Sequence, residues 1–119
     1  MLWFLEDSSD LSENAKRILT NGENELFWSS VSYWEITVKI SLNKLVLATG
    51  WQDLLDREKK ENRIQDLPLY QNHCKPNLML PWHHRDPFDR LLICQAMIEG
   101  LAFLTKDKNI RKYDVQSAW

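Results

Sequence analysis

Residues 86–105 read DPFDRLLICQAMIEGLAFLT and predict a buried helix that runs directly into a buried strand. Asp86 followed by Pro87 is typical of an N-cap and first helical position, and Gly100 is typical of the residue that ends a helix. The apolar run at 101–105 then indicates a strand of a parallel sheet, which is covered on both faces and therefore lacks polar alternation.

Outward from this unit, helical and extended patterns alternate along the chain. The pattern at 32–45 predicts a helix whose core-facing side carries Trp34, Val38 and Leu42. The apolar residues 1–5, MLWFL, resemble the interior of a helix. Further helices are predicted at SENAKRILT, WQDLLDREKKENR and YQNHCKPN, and strands at ELFWSS, RIQDLPL and residues 115–119. This alternation predicts an α/β protein, a three-layer α/β/α sandwich around a mostly parallel sheet.

Size and charge limit the possible functions. With 119 residues the chain is expected to form a single domain over residues 1–119. A net charge of -2 argues against a domain that binds nucleic acid by covering phosphates with Lys and Arg, although an enzyme can reach phosphates through a metal ion. Cys74 and Cys94 do not suggest a disulfide framework. Without a recognisable signal peptide or membrane span, we expect a cytoplasmic protein.

Four acidic residues occupy positions where a parallel sheet gathers ligands, namely Glu35, Asp86, Asp89 and Asp107. Glu35 is near the start of the helix after ELFWSS, Asp86 and Asp89 open the helix after PWHHR, and Asp107 follows the strand LAFLT. Ligands collect at the carboxyl ends of parallel strands. Carboxylate oxygens suit Mg²⁺, and such a metal ion can activate a water and offset charge on a phosphodiester.

Helix capping offers a second interpretation of the same residues. Ser32-x-x-Glu35 matches a capping box, Asp86 is a suitable N-cap, Asp89 falls at N3 where the helix dipole favours a carboxylate, and Asp107 could cap a short final helix. For each residue taken alone, spacing leaves both interpretations open. Capping does not explain why all four stand at the ligand-collecting edge.

Four segments resemble PIN-domain ribonucleases, in particular the VapC-like toxins of bacterial type II toxin–antitoxin pairs. They are WFLEDSSDLSENAK (residues 3–16), SYWEITVKISLNKL (32–45), PWHHRDPFDRLLICQA (81–96) and GLAFLTKDKNIRKY (100–113). The resemblance implies a PIN-like fold, an acidic cluster that binds Mg²⁺ or Mn²⁺, and hydrolysis of RNA. It also implies a cognate antitoxin as partner and a homodimer.

Matched motif by motif, the resemblance assigns metal binding and catalysis to Glu35, Asp89 and Asp107. Asp86 lies in the same motif and is either a further metal ligand or the helix cap. The side chains expected to orient substrate are Arg85, Arg90 and Thr105. The two arginines could instead pair with neighbouring carboxylates. For His83 and His84 we expect surface or supporting roles.

The start of the chain departs from the family pattern. Family members open with a strand that carries a metal-binding aspartate, whereas this sequence begins at MLWFL, so we expect that strand and its aspartate to be missing. Asp7 and Asp10 are not expected to replace it. Either the start is assigned too far downstream, or the gene is truncated and decaying. The second case gives an alternative function: a catalytically impaired remnant that acts only as an antitoxin-binding or self-associating module.

Overall fold

Within the part of the chain that the structure describes, five strands form one sheet, all parallel, in the order β3-β2-β1-β4-β5. The computed structural model describes residues 11–119 and the backbone of residues 2–5. The strands are β1 (Leu2–Leu5), β2 (Glu25–Ser29), β3 (Ile64–Leu67), β4 (Ala102–Leu104) and β5 (Ser117–Ala118). The helices are α1 (Glu13–Thr20), α2 (Ser30–Ser41), α3 (Trp51–Glu61), α4 (Gln71–Cys74) and α5 (Pro87–Glu99), with 3-10 turns at Lys75–Leu78 and Ile110–Lys112.

The central strand β1 corrects the prediction for the start of the chain. Leu2–Leu5 pairs in parallel with β2 on one side and β4 on the other, so the sheet has no gap at its centre. The expected helix at MLWFL, and with it the expected absence of a first strand, is therefore wrong. A short apolar run has the same appearance in a helix and in a strand buried on both faces. The prediction for Asp7 and Asp10 assumed that helix, and both residues lie outside the described part of the chain.

Two apolar cores lie on opposite faces of the sheet, as the alternation of side chains along β2 and β4 shows. Phe103 belongs to one core and its neighbour Leu104 to the other. The core with Phe103 receives more of its buried residues from α5 than from any other helix, among them Leu92, Ile93 and Ala96. The core with Leu104 contains Leu26, Trp28, Ala15 of α1 and Ile36 of α2. Helices therefore cover both faces, and the predicted three-layer α/β/α sandwich is confirmed.

The buried face of α2 differs from the predicted one. The side chain of Ser29 caps the helix by accepting a hydrogen bond from the Val31 N–H, so the helix begins at Ser30. Val31 and Ile36 are buried, whereas Trp34 is 64% exposed and Leu42 57% exposed. Apolar residues surround α2 on most sides, and its periodicity therefore does not define one face. The predicted core role of Trp34 is wrong.

Helix α5 has the ends that the sequence predicts. Asp86 is its N-cap and accepts hydrogen bonds from the N–H groups of Phe88 and Asp89 at 2.9 and 3.1 Å. Gly100 ends the helix in the left-handed region with φ of 66°. The middle of the helix is buried, and Cys94 there has its thiol pKa raised by burial. The burial of the middle of α5 anchors its first turn against the sheet.

The Gly100→Ala substitution should lower the free energy of unfolding by about 1 kcal/mol, because a side chain in the left-handed region is strained. An added Cβ would meet no atom within 4 Å, so strain alone sets the effect. Urea denaturation measures it. The matched control is Gly22→Ala, where φ is not positive and the space is equally open. An equal loss in both variants would contradict the strain argument.

Two findings bear on the cellular setting. Among the helices in the described part of the chain, none is both long and apolar enough to cross a membrane. Cys74 is exposed, Cys94 is buried, and both thiols are free.

Candidate metal and nuclease site

The acidic residues predicted from sequence converge on the carboxyl-terminal edge of the sheet. Glu35 lies in the second turn of α2, which follows β2 directly. Asp89 lies in the first turn of α5. Asp107 follows Thr105, the residue after β4, and its backbone N–H donates to the Thr105 hydroxyl at 3.0 Å. Each carboxylate is therefore positioned by a different strand or helix.

Glu35 and Asp89 share one cavity of about 250 Å³. Its other lining residues are Ser32, Ile36, Lys39, Leu45 and Leu92. The Glu35 side chain is 17% exposed and the Asp89 side chain 15% exposed, so both carboxylates are largely withdrawn from water. The cavity is thus a small acidic recess with an apolar wall.

Asp89 experiences the strongest electrostatic perturbation in this recess. Burial, followed by the negative charge of Asp86, raises its pKa from 3.8 to about 6. Asp107 and Glu35 raise the pKa further, whereas a hydrogen bond with His84 lowers it. At neutral pH such a carboxyl is still largely ionised, but its charged form is less favourable than that of an ordinary aspartate. Asp89 therefore lies within the electrostatic field of the other three carboxylates.

The structure separates the capping residues from those that face the cavity. Asp86 is the cap of α5, as predicted, and this leaves Asp89 free of a capping role. The proposed capping box of Ser32 and Glu35 is wrong, because Ser29 is the N-cap and Ser32 lies inside α2. Asp107 does act locally, since its Oδ1 accepts a hydrogen bond from the Asn109 N–H at 2.9 Å.

Arg90 does not have the predicted substrate-orienting position. It is 2% exposed, and its guanidinium donates hydrogen bonds to Asn77 and to the carbonyl oxygens of Leu80 and Pro81. The guanidinium also lies 3.4 Å from the centre of the Trp82 ring. Arg90 therefore ties the loop before α5 to the helix, and these acceptors occupy its guanidinium. The physical reason is that a buried guanidinium needs several acceptors, and backbone carbonyls supply them.

Arg85 is exposed, and its substrate-orienting role stays a prediction. It lines a shallow recess beside Trp82 rather than the cavity with the carboxylates. Thr105 is fully buried, and its hydroxyl accepts the hydrogen bond from Asp107 described above. Thr105 thus shapes the loop that carries Asp107, and its substrate-orienting role stays a prediction.

A hydrogen-bond chain supports Asp89 from behind. His84 Nε2 lies 3.1 Å from Asp89 Oδ2, and His84 Nδ1 lies 2.8 Å from the Tyr113 hydroxyl. That hydroxyl also accepts a hydrogen bond from Arg90. If Nε2 donates to the carboxylate, a neutral His84 accepts from Tyr113 at Nδ1, and the ring orientation is fixed. The sequence suggested a supporting role for His84, but nothing in the spacing pointed to Tyr113, which lies 29 residues later.

Lys39 is the second residue that the sequence analysis missed. It lies one helical turn after Glu35, and its Nζ is 2.5 Å from Glu35 Oε2. The hydrogen bond with Glu35 raises the pKa of Lys39, and the charges of Asp86 and Asp89 contribute in the same direction. The spacing of Glu35 and Lys39, four residues apart on a helix, was the available signal.

The donor atoms of this site fit a hard divalent cation in chemistry and charge. They are carboxylate oxygens in a partly dehydrated recess, where burial and then their mutual repulsion raise the pKa of Asp89. Their spacing fits such an ion only in part. Over residues 11–119, no three His, Cys, Asp or Glu side chains lie close enough together to hold a metal ion. Glu35 and Asp89, which share the cavity, are the pair best placed to do so, and water can complete the coordination of Mg²⁺.

Comparisons with known proteins agree with this architecture. Residues 1–116 match the family model of the PIN domain. No curated protein matches the chain at a significant level. Among solved structures, the chain is similar to one in the crystal structure of VapBC2 from Rickettsia felis bound to a DNA fragment from their promoter. The two share 12% identity with a TM-score of 0.68, over 99% of this chain and 98% of the other. At that identity the likeness concerns the fold alone.

Proposed function

This chain belongs to the PIN-domain family, and we propose that it is a metal-dependent endoribonuclease, the toxin component of a type II toxin–antitoxin pair. PIN domains are generally nucleases, and the solved structure with the similar fold is a VapBC complex. The specific reaction proposed is hydrolysis of RNA phosphodiester bonds with Mg²⁺ or Mn²⁺ as cofactor.

One observation carries the proposal: Glu35 and Asp89, from two different helices, line the same recess at the carboxyl edge of the sheet. Neither carboxylate caps its own helix, so helix capping does not account for their placement. Holding both here costs electrostatic energy, as the raised pKa of Asp89 shows. A site that is unfavourable for the isolated protein is expected where a ligand supplies the missing charge.

Each residue has a defined task in this proposal. Glu35 and Asp89 would hold the metal ion, and Asp107 would add negative charge from the loop after β4. When bound, the metal supplies Lewis-acid chemistry, namely activation of water and compensation of charge on the phosphodiester. His84 keeps the Asp89 carboxylate oriented through its hydrogen bond of 3.1 Å. Asp86 starts α5 and so fixes the direction in which Asp89 points.

The proposed partners follow from the same assignment. The solved relative is a complex of VapB and VapC, which supports a cognate antitoxin as partner for this chain. A homodimer in the cytoplasm is the proposed state. Exposed apolar side chains on the surface agree with protein contacts, among them Leu78 and Met79, each 87% exposed.

A second candidate function rests on the spacing of the acids. Because no three metal-binding side chains within residues 11–119 lie close together, the chain could bind a partner without cutting RNA. In that case it acts only as an antitoxin-binding or self-associating module. Metal-dependent cleavage separates the two functions, because only the nuclease requires it.

We expect the purified chain to cleave a fluorescent RNA panel in Mg²⁺ and to be inactive in EDTA. Glu35→Gln and Asp107→Asn should each reduce the cleavage rate. For Glu35→Gln the loss should be at least about 100-fold, because loss of a residue that merely supports a metal ligand costs about 10- to 100-fold. Asp107→Asn should reduce the cleavage rate less than Glu35→Gln, because the Asp107 carboxylate already accepts a hydrogen bond in a local turn.

The matched control for this experiment is Glu61→Gln, which makes the same chemical change at an exposed position at the end of α3. It should leave the rate unchanged. Folded protein that shows no cleavage under any metal condition would contradict the nuclease proposal and favour the partner-binding module.

A further inference from the structure

Lys39 places a positive charge inside the acidic recess. Its Nζ lies 2.5 Å from Glu35 Oε2, and both residues line the cavity that also contains Asp89. The Lys39 side chain is 46% exposed, whereas the Glu35 side chain is 17% exposed. The ammonium group therefore reaches in from the solvent side to a carboxylate that is mostly withdrawn from water.

The ordinary explanation of this contact is a helix ion pair between residues four positions apart. Such pairs contribute only about 0.3–0.5 kcal/mol at exposed positions. Two features distinguish Lys39 from that case. Among the described residues that line the cavity it is the single cation, and it lies in the field of Asp86 and Asp89 as well as Glu35. Its charge therefore interacts with three of the four carboxylates, those of Glu35, Asp86 and Asp89.

A divalent cation that binds Glu35 must compete with this ammonium group. The Lys39 Nζ already occupies one oxygen of the carboxylate that the cation would use. The two positive charges also repel each other within a few ångströms, in surroundings that are partly dehydrated. Metal binding therefore requires Lys39 to move away from Glu35, and its half-exposed stem makes that movement possible.

We propose that Lys39 is a built-in counter-cation of the metal site, which neutralises Glu35 while no metal is bound and is displaced when Mg²⁺ or Mn²⁺ binds. This inference rests on the proposed function, since it concerns the same site. Its consequence is that Lys39 lowers the metal affinity of the free protein and thereby sets the cation concentration at which the site fills.

The test is titration of the full chain with Mn²⁺ alone, with free Mn²⁺ followed by electron paramagnetic resonance. Lys39→Met should bind Mn²⁺ about fivefold more tightly than the unmodified protein, because it removes a repelling charge from the cavity. Lys39→Arg keeps the charge and should stay within about twofold of the unmodified protein. Lys44→Met is the matched control for loss of one lysine charge, and it too should change the affinity by less than about twofold.

Several outcomes would overturn the proposal. Unchanged or weaker Mn²⁺ binding by a folded Lys39→Met variant would make the contact an ordinary helix pair, and Lys39→Gln provides a second variant if the first does not fold. If Lys44→Met binds Mn²⁺ more tightly to the same extent as Lys39→Met, the effect comes from the net charge of the protein and not from the position of Lys39. Absence of Mn²⁺ binding in every variant, together with absence of cleavage, would overturn the proposed function as well. If the unmodified chain cleaves RNA but Lys39→Met binds Mn²⁺ with unchanged affinity, the counter-cation proposal alone is overturned.

Discussion

Replacing Asp89 with asparagine should abolish metal-dependent RNA cleavage and, in EDTA, make the protein more stable at neutral pH. The first effect follows if Asp89 holds the metal, because an amide is a weaker ligand and carries no charge. The expected loss of rate is at least about 100-fold, for the same reason as at Glu35. The second effect follows from the raised pKa of Asp89. Loss of cleavage together with a gain in stability is expected only if Asp89 is placed for function rather than for stability.

The pH dependence of the stability effect has a defined sign. Asp89 has a pKa of about 6 in the folded protein and an ordinary value of 3.8, so the folded state holds the proton more tightly than the unfolded state. The associated stability is present below about pH 4 and is lost as the pH rises through about 6. Above that range the ionised carboxylate is disfavoured by burial and by repulsion from Asp86, Asp107 and Glu35, and the hydrogen bond with His84 offsets this only in part.

The asparagine variant carries no such charge, so its advantage should appear only at the higher pH. In EDTA at pH 7.5 we expect a free energy of unfolding about 1–2 kcal/mol above that of the unmodified protein, a value reduced for the partial exposure of Asp89. At pH 4 the difference should nearly vanish. Urea denaturation at the two pH values measures it.

The control for both effects is Asp53→Asn, which removes one carboxylate from the exposed first turn of α3. It should leave cleavage unchanged and lower the free energy of unfolding by no more than about 0.3–1 kcal/mol, through the lost interaction with the helix dipole, which is opposite in sign to the effect expected for Asp89→Asn. Retained cleavage combined with a loss of stability in Asp89→Asn would show that Asp89 serves the fold and would remove it from the proposed metal site.

Local chemistry explains why α5 and β4 could be predicted from sequence. Asp86, Pro87 and Gly100 act on the backbone within a few residues of themselves, so their effect does not depend on the rest of the fold. The apolar run after Gly100 is long enough to indicate burial on both sides. From these two elements the edge of the sheet that gathers ligands, and hence the position of Asp89 and Asp107, follows directly.

Tertiary contacts decide what the sequence did not reveal. Whether Leu2–Leu5 forms a helix or a strand depends on the partners available at the centre of the sheet, since the run itself is apolar throughout. The exposed side of α2, with Trp34, depends likewise on which of its apolar faces α5 and the sheet cover. Packing decides both features, the strand at Leu2–Leu5 and the exposed side of α2, and the local sequence pattern does not predict them.

The candidate site shows the same division between local and distant causes. Glu35 and Lys39 are linked by helical spacing alone, so their contact was accessible to sequence reasoning. The contacts of Arg90 were not accessible in this way, because its acceptors lie at Asn77, Leu80 and Pro81. Nothing in the order of those residues indicates that they share one hydrogen-bond donor. The charge of Arg90, in a motif with several acidic residues, suggested that it binds phosphate. Its burial argues against that role.

Replacing Arg90 with methionine should lower the free energy of unfolding by about 3–5 kcal/mol, a loss near the upper end for a single substitution. Methionine keeps much of the volume of the arginine stem but leaves the carbonyl oxygens of Leu80 and Pro81 without their donor. An unsatisfied buried acceptor costs about 1–3 kcal/mol, and the contact with the Trp82 ring is lost in addition. Urea denaturation in EDTA measures the change without interference from metal binding.

Two comparison variants identify the cause of this loss. Arg90→Lys keeps the charge but has no planar fork that can reach Asn77, Leu80 and Pro81 together, so it should restore less than half of the stability. Arg85→Met removes an exposed guanidinium five residues earlier and should change the free energy of unfolding by less than about 0.5 kcal/mol. Full rescue by lysine would mean that positive charge, rather than the set of hydrogen bonds, is what the loop before α5 requires. Arg90 would then again be a candidate for binding phosphate, which its burial at present argues against.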